Sequence, residues 1–241
     1  MKNILITGAS RGLGLSITKY LIQNGYSIYT ISRTISDDLN RLSHEYPDNL
    51  HVIKFDLGDI EAINSSVFKN EVGFDLPIHG LINNAAIAYD DLVTNINYKS
   101  LEEMFKINVF APMILTKYVI RNMLLHDIRG SIVHISSISA HTGYKGLAMY
   151  ASSKGSLEAF SLNTAREWGE RGIRSNSIVA GFMETDMSKE LTNEQKKRIY
   201  NRTCLKRPTD IDSVTKTAIF LISDDSLSIT GQNIFVDSGT I

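Results

Sequence analysis

Seven short apolar runs recur along this 241-residue chain, and most of the segments between them are long enough for helices. The runs are Ile4–Thr7, Ser27–Ile31, Val52–Phe55, Gly80–Ile82, Ser131–Ile135, Arg174–Val179 and Asn233–Val236. Helices are expected over Leu13–Gln23, Leu101–Leu125, Tyr150–Glu170 and Ile211–Ile222. Strand and helix in alternation predict βαβ units and a parallel sheet. The runs are almost continuously apolar, as strands are when helices cover both faces of their sheet. No repeat, low-complexity stretch or linker divides the chain. The expected fold class is α/β, with one doubly wound domain over residues 1–241 built on a seven-stranded parallel sheet flanked by helices.

Composition narrows the chemistry. A formal net charge of −1 gives no overall reason for binding nucleic acid or an anionic membrane. Cys204 is the single cysteine, which excludes an internal disulfide and any multi-cysteine metal site. The six histidines fall on no metal-ligand spacing, so no metal is expected. No apolar stretch is long enough to span a bilayer. The opening run Ile4-Leu5-Ile6 is too short for the core of a signal peptide, and a cytoplasmic protein is the expectation.

The first run ends in Thr7-Gly8-Ala9-Ser10-Arg11-Gly12-Leu13-Gly14, at the point where a helix begins. Glycines here let the backbone turn tightly and approach a ligand with no Cβ in the way. The free N–H groups and positive end of the helix dipole face the same loop. Gly8, Ser10, Arg11, Gly12, Leu13 and Gly14 are therefore the candidate pyrophosphate site. The glycines are spaced Gly-x-x-x-Gly-x-Gly, wider than the common dinucleotide fingerprint. At the end of the second run an NAD reader would be acidic, but this chain has Ile31-Ser32-Arg33-Thr34. Arg33, with Arg11 from the loop, suits a 2′-phosphate through charge-assisted hydrogen bonds. The expected cofactor is NADP(H).

Tyr150 and Lys154 stand four residues apart, on one face of a helix. A free phenol has a pKa of about 10, and a nearby cation would lower it toward a useful range. Upstream, Ser137 follows the fifth strand, at the edge where such sheets bind ligands. It lies within reach of Tyr150 through a loop of a dozen residues.

Together these pieces resemble the short-chain dehydrogenase/reductase family, a group of single doubly wound Rossmann-type domains. The resemblance covers Leu5 to Gly239. It rests on the glycine loop, Asp56-Leu57, Asn83-Asn84-Ala85, Asn108, the Ser137/Tyr150/Lys154 set, Gly181-Phe182-Met183-Glu184-Thr185, and Ile229-Thr230-Gly231-Gln232 running to Val236-Asp237. It implies that Tyr150 protonates a carbonyl oxygen as hydride arrives, that Ser137 polarises that oxygen, and that Lys154 bonds the nicotinamide ribose and depresses the Tyr150 pKa. It further implies a water held by Asn108, adenine contacts from Asp56 and Leu57, an adenosine-side contact from Asn84, and nicotinamide amide contacts from Met183 and Thr185.

Two departures from the family pattern are Ala86, for the glycine of Asn-Asn-Ala-Gly, and Ala180, for the proline before Gly181; weaker pinning of that loop is expected. His134 is expected to be a satisfied core histidine and Cys204 a packing residue. The motifs are closest to the 3-oxoacyl-[acyl-carrier-protein] reductase type, which implies a 3-oxoacyl thioester substrate and an acyl carrier protein as partner. Reduction of a sugar, a polyketide or another small carbonyl compound is the alternative, and a non-catalytic NADP(H)-binding protein is a third. Residues 187–207 read as a mobile polar lid. The apolar excess of 101–125, with the 150–170 helix, predicts a homotetramer.

Overall fold

The structure is a computed structural model that describes residues 1–185 and 191–240. Strands β1 (Asn3–Thr7), β2 (Ser27–Ser32), β3 (Leu50–Lys54), β4 (Gly80–Asn83), β5 (Ser131–Ser137), β6 (Arg174–Ala180) and β7 (Asn233–Val236) form one sheet. Their order is β3-β2-β1-β4-β5-β6-β7, and every neighbouring pair is parallel. Chain direction across the sheet reverses between β1 and β4, which opens a crevice at their carboxyl ends.

The helices are α1 (Gly12–Gln23), α2 (Asp37–Glu45), α3 (Tyr98–Phe105), α4 (Ala111–Leu125), α5 (Ser139–Thr142), α6 (Ala148–Trp168), α7 (Asn193–Tyr200) and α8 (Ile211–Ile222). Alternate residues of β1 face opposite sides of the sheet. Ile4 and Ile6 join α1 and α8 in one core layer, through Ile17, Leu21, Val214 and Leu221. Leu5 joins the other layer, with Leu115, Val119 and Met123 of α4 and Val67 and Phe68 of a π-helical segment, Ile63–Val72.

All seven predicted runs are strands, with ends displaced by at most two residues. Three predicted helices appear close to their expected bounds, as α1, α6 and α8. The fourth differs. Its helix starts at Tyr98, and a π turn, Lys106–Phe110, separates α3 from α4. One extra residue rotates the helix face by about 100°. Apolar residues on either side of the turn therefore occupy different angular positions while packing on one core. This accounts for part of the apolar excess read from the sequence; Phe110, Leu124 and Leu125 remain exposed, as does Leu162 of α6. α2, α7 and the π-helical segment were not predicted.

Of the expected lid, residues 187–190 lie outside the described residues. The rest contains α7, opened by a reciprocal Thr192–Gln195 capping box. It is tied to the C-terminal segment by Cys204 N to Gly239 O, 2.9 Å, and Leu205 N to Ser238 O, 3.1 Å. Cys204 is exposed, contrary to its expected packing role, because this stretch runs along the surface. Among the described residues no helix is long and apolar enough to cross a membrane, and no cluster of side chains could hold a metal ion.

Candidate active site

The glycine loop turns at the carboxyl end of β1 with Gly8 and Gly12 both at positive φ, 73° and 55°. A Cβ on Gly14 would stand 2.2 Å from the Gly8 carbonyl oxygen, so the turn closes only with glycine there. A Cβ on Gly12 would meet nothing nearer than Thr185, at 3.8 Å. The loop thus leaves room on the side where a phosphate would lie, below the N-terminus of α1. Leu13 and Gly14 are buried under it, Ser10 is half-buried, and Arg11 is exposed as the residue preceding the helix.

Two contacts fix this cradle to its surroundings. Gly8 N donates to Ile31 O at 2.8 Å, which joins the loop to the end of β2. Ser36 caps α2 and donates its hydroxyl to Ser10 O. Arg33, exposed just beyond β2, follows the strand end to which Gly8 is bonded, and Arg11 is exposed in the loop itself. Phe55 N donates to Ser32 O, 3.1 Å, bringing Asp56 to the same corner. Asp56 is exposed and also accepts from Gly58 N; Leu57 is buried in the core, so any ligand contact there falls to its backbone.

Asn84 sits against the glycine loop. Its amide donates to Thr7 O, 2.9 Å, and Gly8 O, 3.1 Å, while its own N–H and that of Ala85 donate to the Thr7 hydroxyl. These bonds brace the glycine loop across the β1–β4 crevice. Ala86 follows, half-buried.

Ser137 ends β5, and α6 carries Tyr150 and Lys154 toward it. The Ser137 hydroxyl oxygen accepts from Ser139 N at 3.2 Å and Ser139 Oγ at 3.0 Å, which leaves its proton free to point at the Tyr150 phenol, its hydrogen-bond partner. Lys154 is buried, donates to Ile135 O at 2.8 Å, and lies 5.8 Å from the Tyr150 ring centroid. Lys154 does not lower the Tyr150 pKa as expected. Burial, then the Asp90 carboxylate, push the phenol up to about 12, against a small lowering from Ser137. Burial also pushes the Lys154 amine down to about 8, so its charge is itself weakly held.

Asn108 lies in the π turn and is fully buried. Its amide pairs both ways with the Ile87 backbone, at 2.8 and 2.9 Å, and donates to Ser153 at 3.1 Å. The side chain is a brace between α6 and the loop after β4. The widened turn is the kind of place where a main-chain carbonyl is released for water.

The loop after β6 brings Thr185 over Gly12, while Met183 packs against the core. Despite Ala180, that loop is well pinned: Gly181 N donates to Val236 O, Thr209 N to Phe182 O, and Ile138 N to Ala180 O, all at 2.8–2.9 Å. Gly181 is required, since a Cβ would fall 2.3 Å from Thr209 Oγ1. His134 is a core residue but only partly satisfied: Nδ1 lies 3.3 Å from Asn83 Nδ2, and Nε2 has no partner among the described residues. Burial and then Lys154 push its pKa to about 3, so it is neutral and no acid catalyst. Sequence reasoning missed Asp90, a carboxylate near enough to Tyr150 to raise its pKa.

The family model described as "Enoyl-(Acyl carrier protein) reductase" matches residues 8–240. The chain belongs to the short-chain dehydrogenase/reductase family. It is an oxidoreductase by that membership. Relatives in this family include an L-xylulose reductase of Caenorhabditis elegans, 33% identical over 99% of this chain and 95% of that one. Carbonyl reductase [NADPH] 2 of Sus scrofa is 32% identical over 98% and 94%. A 3-oxoacyl-[acyl-carrier-protein] reductase of Buchnera aphidicola is 33% identical over 99% and 96%. Among solved structures, a 4-hydroxyisoleucine dehydrogenase complexed with NADH superposes with a TM-score of 0.92, at 28% identity, covering 100% of this chain and 98% of that one.

Proposed function

We propose that this chain is an NADPH-dependent reductase of a small, polar carbonyl compound, of the kind a short sugar presents. The observation that carries the reading is the meeting of Tyr150, Ser137 and buried Lys154 at the end of β5, across the crevice from the glycine loop. The bound cofactor supplies hydride to the carbonyl carbon. Ser137, its oxygen already accepting from Ser139, directs its proton to the substrate oxygen. Tyr150 keeps its own proton through the neutral range and donates it to that oxygen. Lys154, fixed at Ile135, supplies donors for the cofactor's ribose. Arg11 and Arg33 answer the 2′-phosphate, and the pig relative's NADPH agrees with that choice.

Polarity supports the substrate class. Asp90, beside Tyr150, accepts hydrogen bonds from hydroxyls and repels an anionic carbonyl neighbour. The second reading, a 3-oxoacyl thioester with an acyl carrier protein as partner, draws on the Buchnera relative. Steady-state assays with NADPH against L-xylulose and a 3-oxoacyl thioester separate the two. The higher kcat/KM is expected with the ketose, and the reverse order assigns the chain to the second reading. No turnover of any carbonyl, with NADPH bound, would leave a non-catalytic binding protein.

A homotetramer is proposed on the exposed apolar residues Phe110, Leu124, Leu125 and Leu162 of the α3–α4 and α6 helices. Light scattering at micromolar concentration should return a multiple of 26.9 kDa, and a monomer mass would overturn it.

A further inference from the structure

The catalytic helix carries a third polar side chain in line with Tyr150 and Lys154. Glu158 follows Lys154 by one turn and shares its face, and its side chain is only 8% exposed. Burying a carboxylate is costly unless its lone pairs are filled. Here three separate elements fill them. Ser136 of β5 donates its hydroxyl to Oε1. His141 of α5 meets Oε2 through Nε2 at 2.8 Å, and Asn233 of β7 donates to the same oxygen at 2.9 Å. Ser136 Oγ also lies 3.3 Å from the Lys154 carbonyl, and the next residue is Ser137. On its other side His141 packs edge-on against Phe235, ring centroids 4.9 Å apart. The chemistry assigned above makes no use of this carboxylate.

We infer that Glu158 is a positioning residue whose carboxylate clamps the Tyr150–Lys154 turns of α6 to the Ser136–Ser137 end of β5. The ladder with β6 fixes Ser137 along the sheet, opposite Ala180, but leaves its spacing from α6 to side chains. Apolar contacts resist separation without defining direction, whereas hydrogen bonds confine distance and angle. Both oxygens accept. An amide at 158 would have to present its NH₂ to Ser136, whose hydroxyl would then turn from donor to acceptor and give up its charge-assisted bond to the carboxylate. Without the clamp, Ser136 and Asn233 lose buried partners and α6 can settle away from the strand end.

The inference rests on the reductase reading, and two kinds of measurement keep their failures apart. Glu158→Gln preserves volume and should lower kcat by roughly 10- to 100-fold, as misplacement of reacting groups by about 1 Å does. NADPH affinity, measured by fluorescence, should fall less than in Lys154→Ala, since the lysine is displaced but kept. The isotope effect with 4-deuterated NADPH should rise as hydride transfer becomes limiting. Ser136→Ala should act in the same direction, and the double variant should lose less than the sum of the two. The second measurement needs no turnover. In cofactor-free protein labelled with ¹³Cε-lysine, Lys154 should titrate near 8 in wild type. In Glu158→Gln it should move up toward a hydrated amine as α6 shifts and water reaches it. Unchanged kcat and isotope effect per folded molecule, with Lys154 titrating as in wild type and only the melting temperature lowered, would reduce Glu158 to a packing brace. Absence of turnover in wild type would instead sink the reductase reading and leave the lysine titration to decide the clamp.

Discussion

Replacing Tyr150 by phenylalanine should lower kcat for carbonyl reduction by roughly 10²–10⁴-fold, the usual worth of general acid catalysis, while NADPH binds almost as in wild type. The substitution removes one hydroxyl from a half-buried ring and leaves the helix intact. Ser137 remains to hold the substrate oxygen, but its proton cannot be given up without forming an alkoxide. The pH profile carries the same assignment. With the phenol at about 12, the acid is present throughout the neutral range, so reduction should not fall for want of a proton. The reverse oxidation needs phenolate and should slow as pH drops. Lys154, at about 8, is charged below that pH and neutral above it. Reduction should therefore hold steady up to about 8 and decline beyond it as the ammonium is lost. Lys154→Ala should remove that shoulder and weaken cofactor binding together, since one side chain serves both. Stopped-flow measurement of NADPH oxidation from pH 6 to 10 reads all of this. Residual activity in Tyr150→Phe within about tenfold of wild type is too small a loss for the general acid and would move that role elsewhere.

What could be read from the sequence follows from how locally each feature is encoded. The strands were legible where burial on both faces leaves an unbroken apolar run, as Ile4–Ile6 and Ile132–Val133 illustrate, although β6 also buries Arg174, Ser175, Asn176 and Ser177. The glycine loop was legible because three glycines in one turn have few other uses, and the structure gives each a reason, in positive φ or in the space a Cβ would take. Tyr150 and Lys154 share a helix face, and their spacing is a property of that helix alone. Glu158 has the same spacing from Lys154, yet it passed unnoticed. Its partners lie 22, 17 and 75 residues away, and nothing in the chain joins Ser136, His141 and Asn233 before the sheet is assembled. Asp90 is hidden for a related reason: it stands next to Asp91, and only the folded loop decides which carboxylate faces the phenol and which caps Leu92. The π turn at Asn108 leaves a trace that is easily misread. It shifts the apolar phase, and a shifted phase in a list of residues looks like a second apolar face. The sign of the Tyr150 shift failed because charge proximity was counted and burial was not. Lys154 is itself buried, and burial lowers its pKa as it raises that of the phenol it was expected to activate.

Cofactor choice should rest on Arg33. NADPH and NADH differ only at the adenosine 2′ position, so the corner where β2 ends decides between them. The backbone at that corner is braced: Gly8 N holds the glycine loop to Ile31 O, and Ser36 holds it to the start of α2. Acidic residues do follow in the first turn of α2, but Asp38 is paired with Arg41, and the positive helix end there offsets their field. Hydrogen bonds to charged groups contribute roughly 1.5–3 kcal/mol net, or about 10- to 150-fold in affinity. Arg33→Ala should weaken NADPH by that order and leave NADH nearly unchanged. Arg11→Ala should do the same more mildly, because a loop side chain gives up more conformational entropy to reach the phosphate. Arg33→Asp should go further and reverse the preference, since it repels the phosphate and offers the ribose hydroxyls an acceptor. Solved relatives of this fold include one complexed with NADH and one with NADP bound, so the fold alone does not choose the cofactor. The measurement is kcat/KM for both cofactors in wild type and the three variants. Equal efficiency with NADPH and NADH in wild type would make Arg33 a solvated surface arginine.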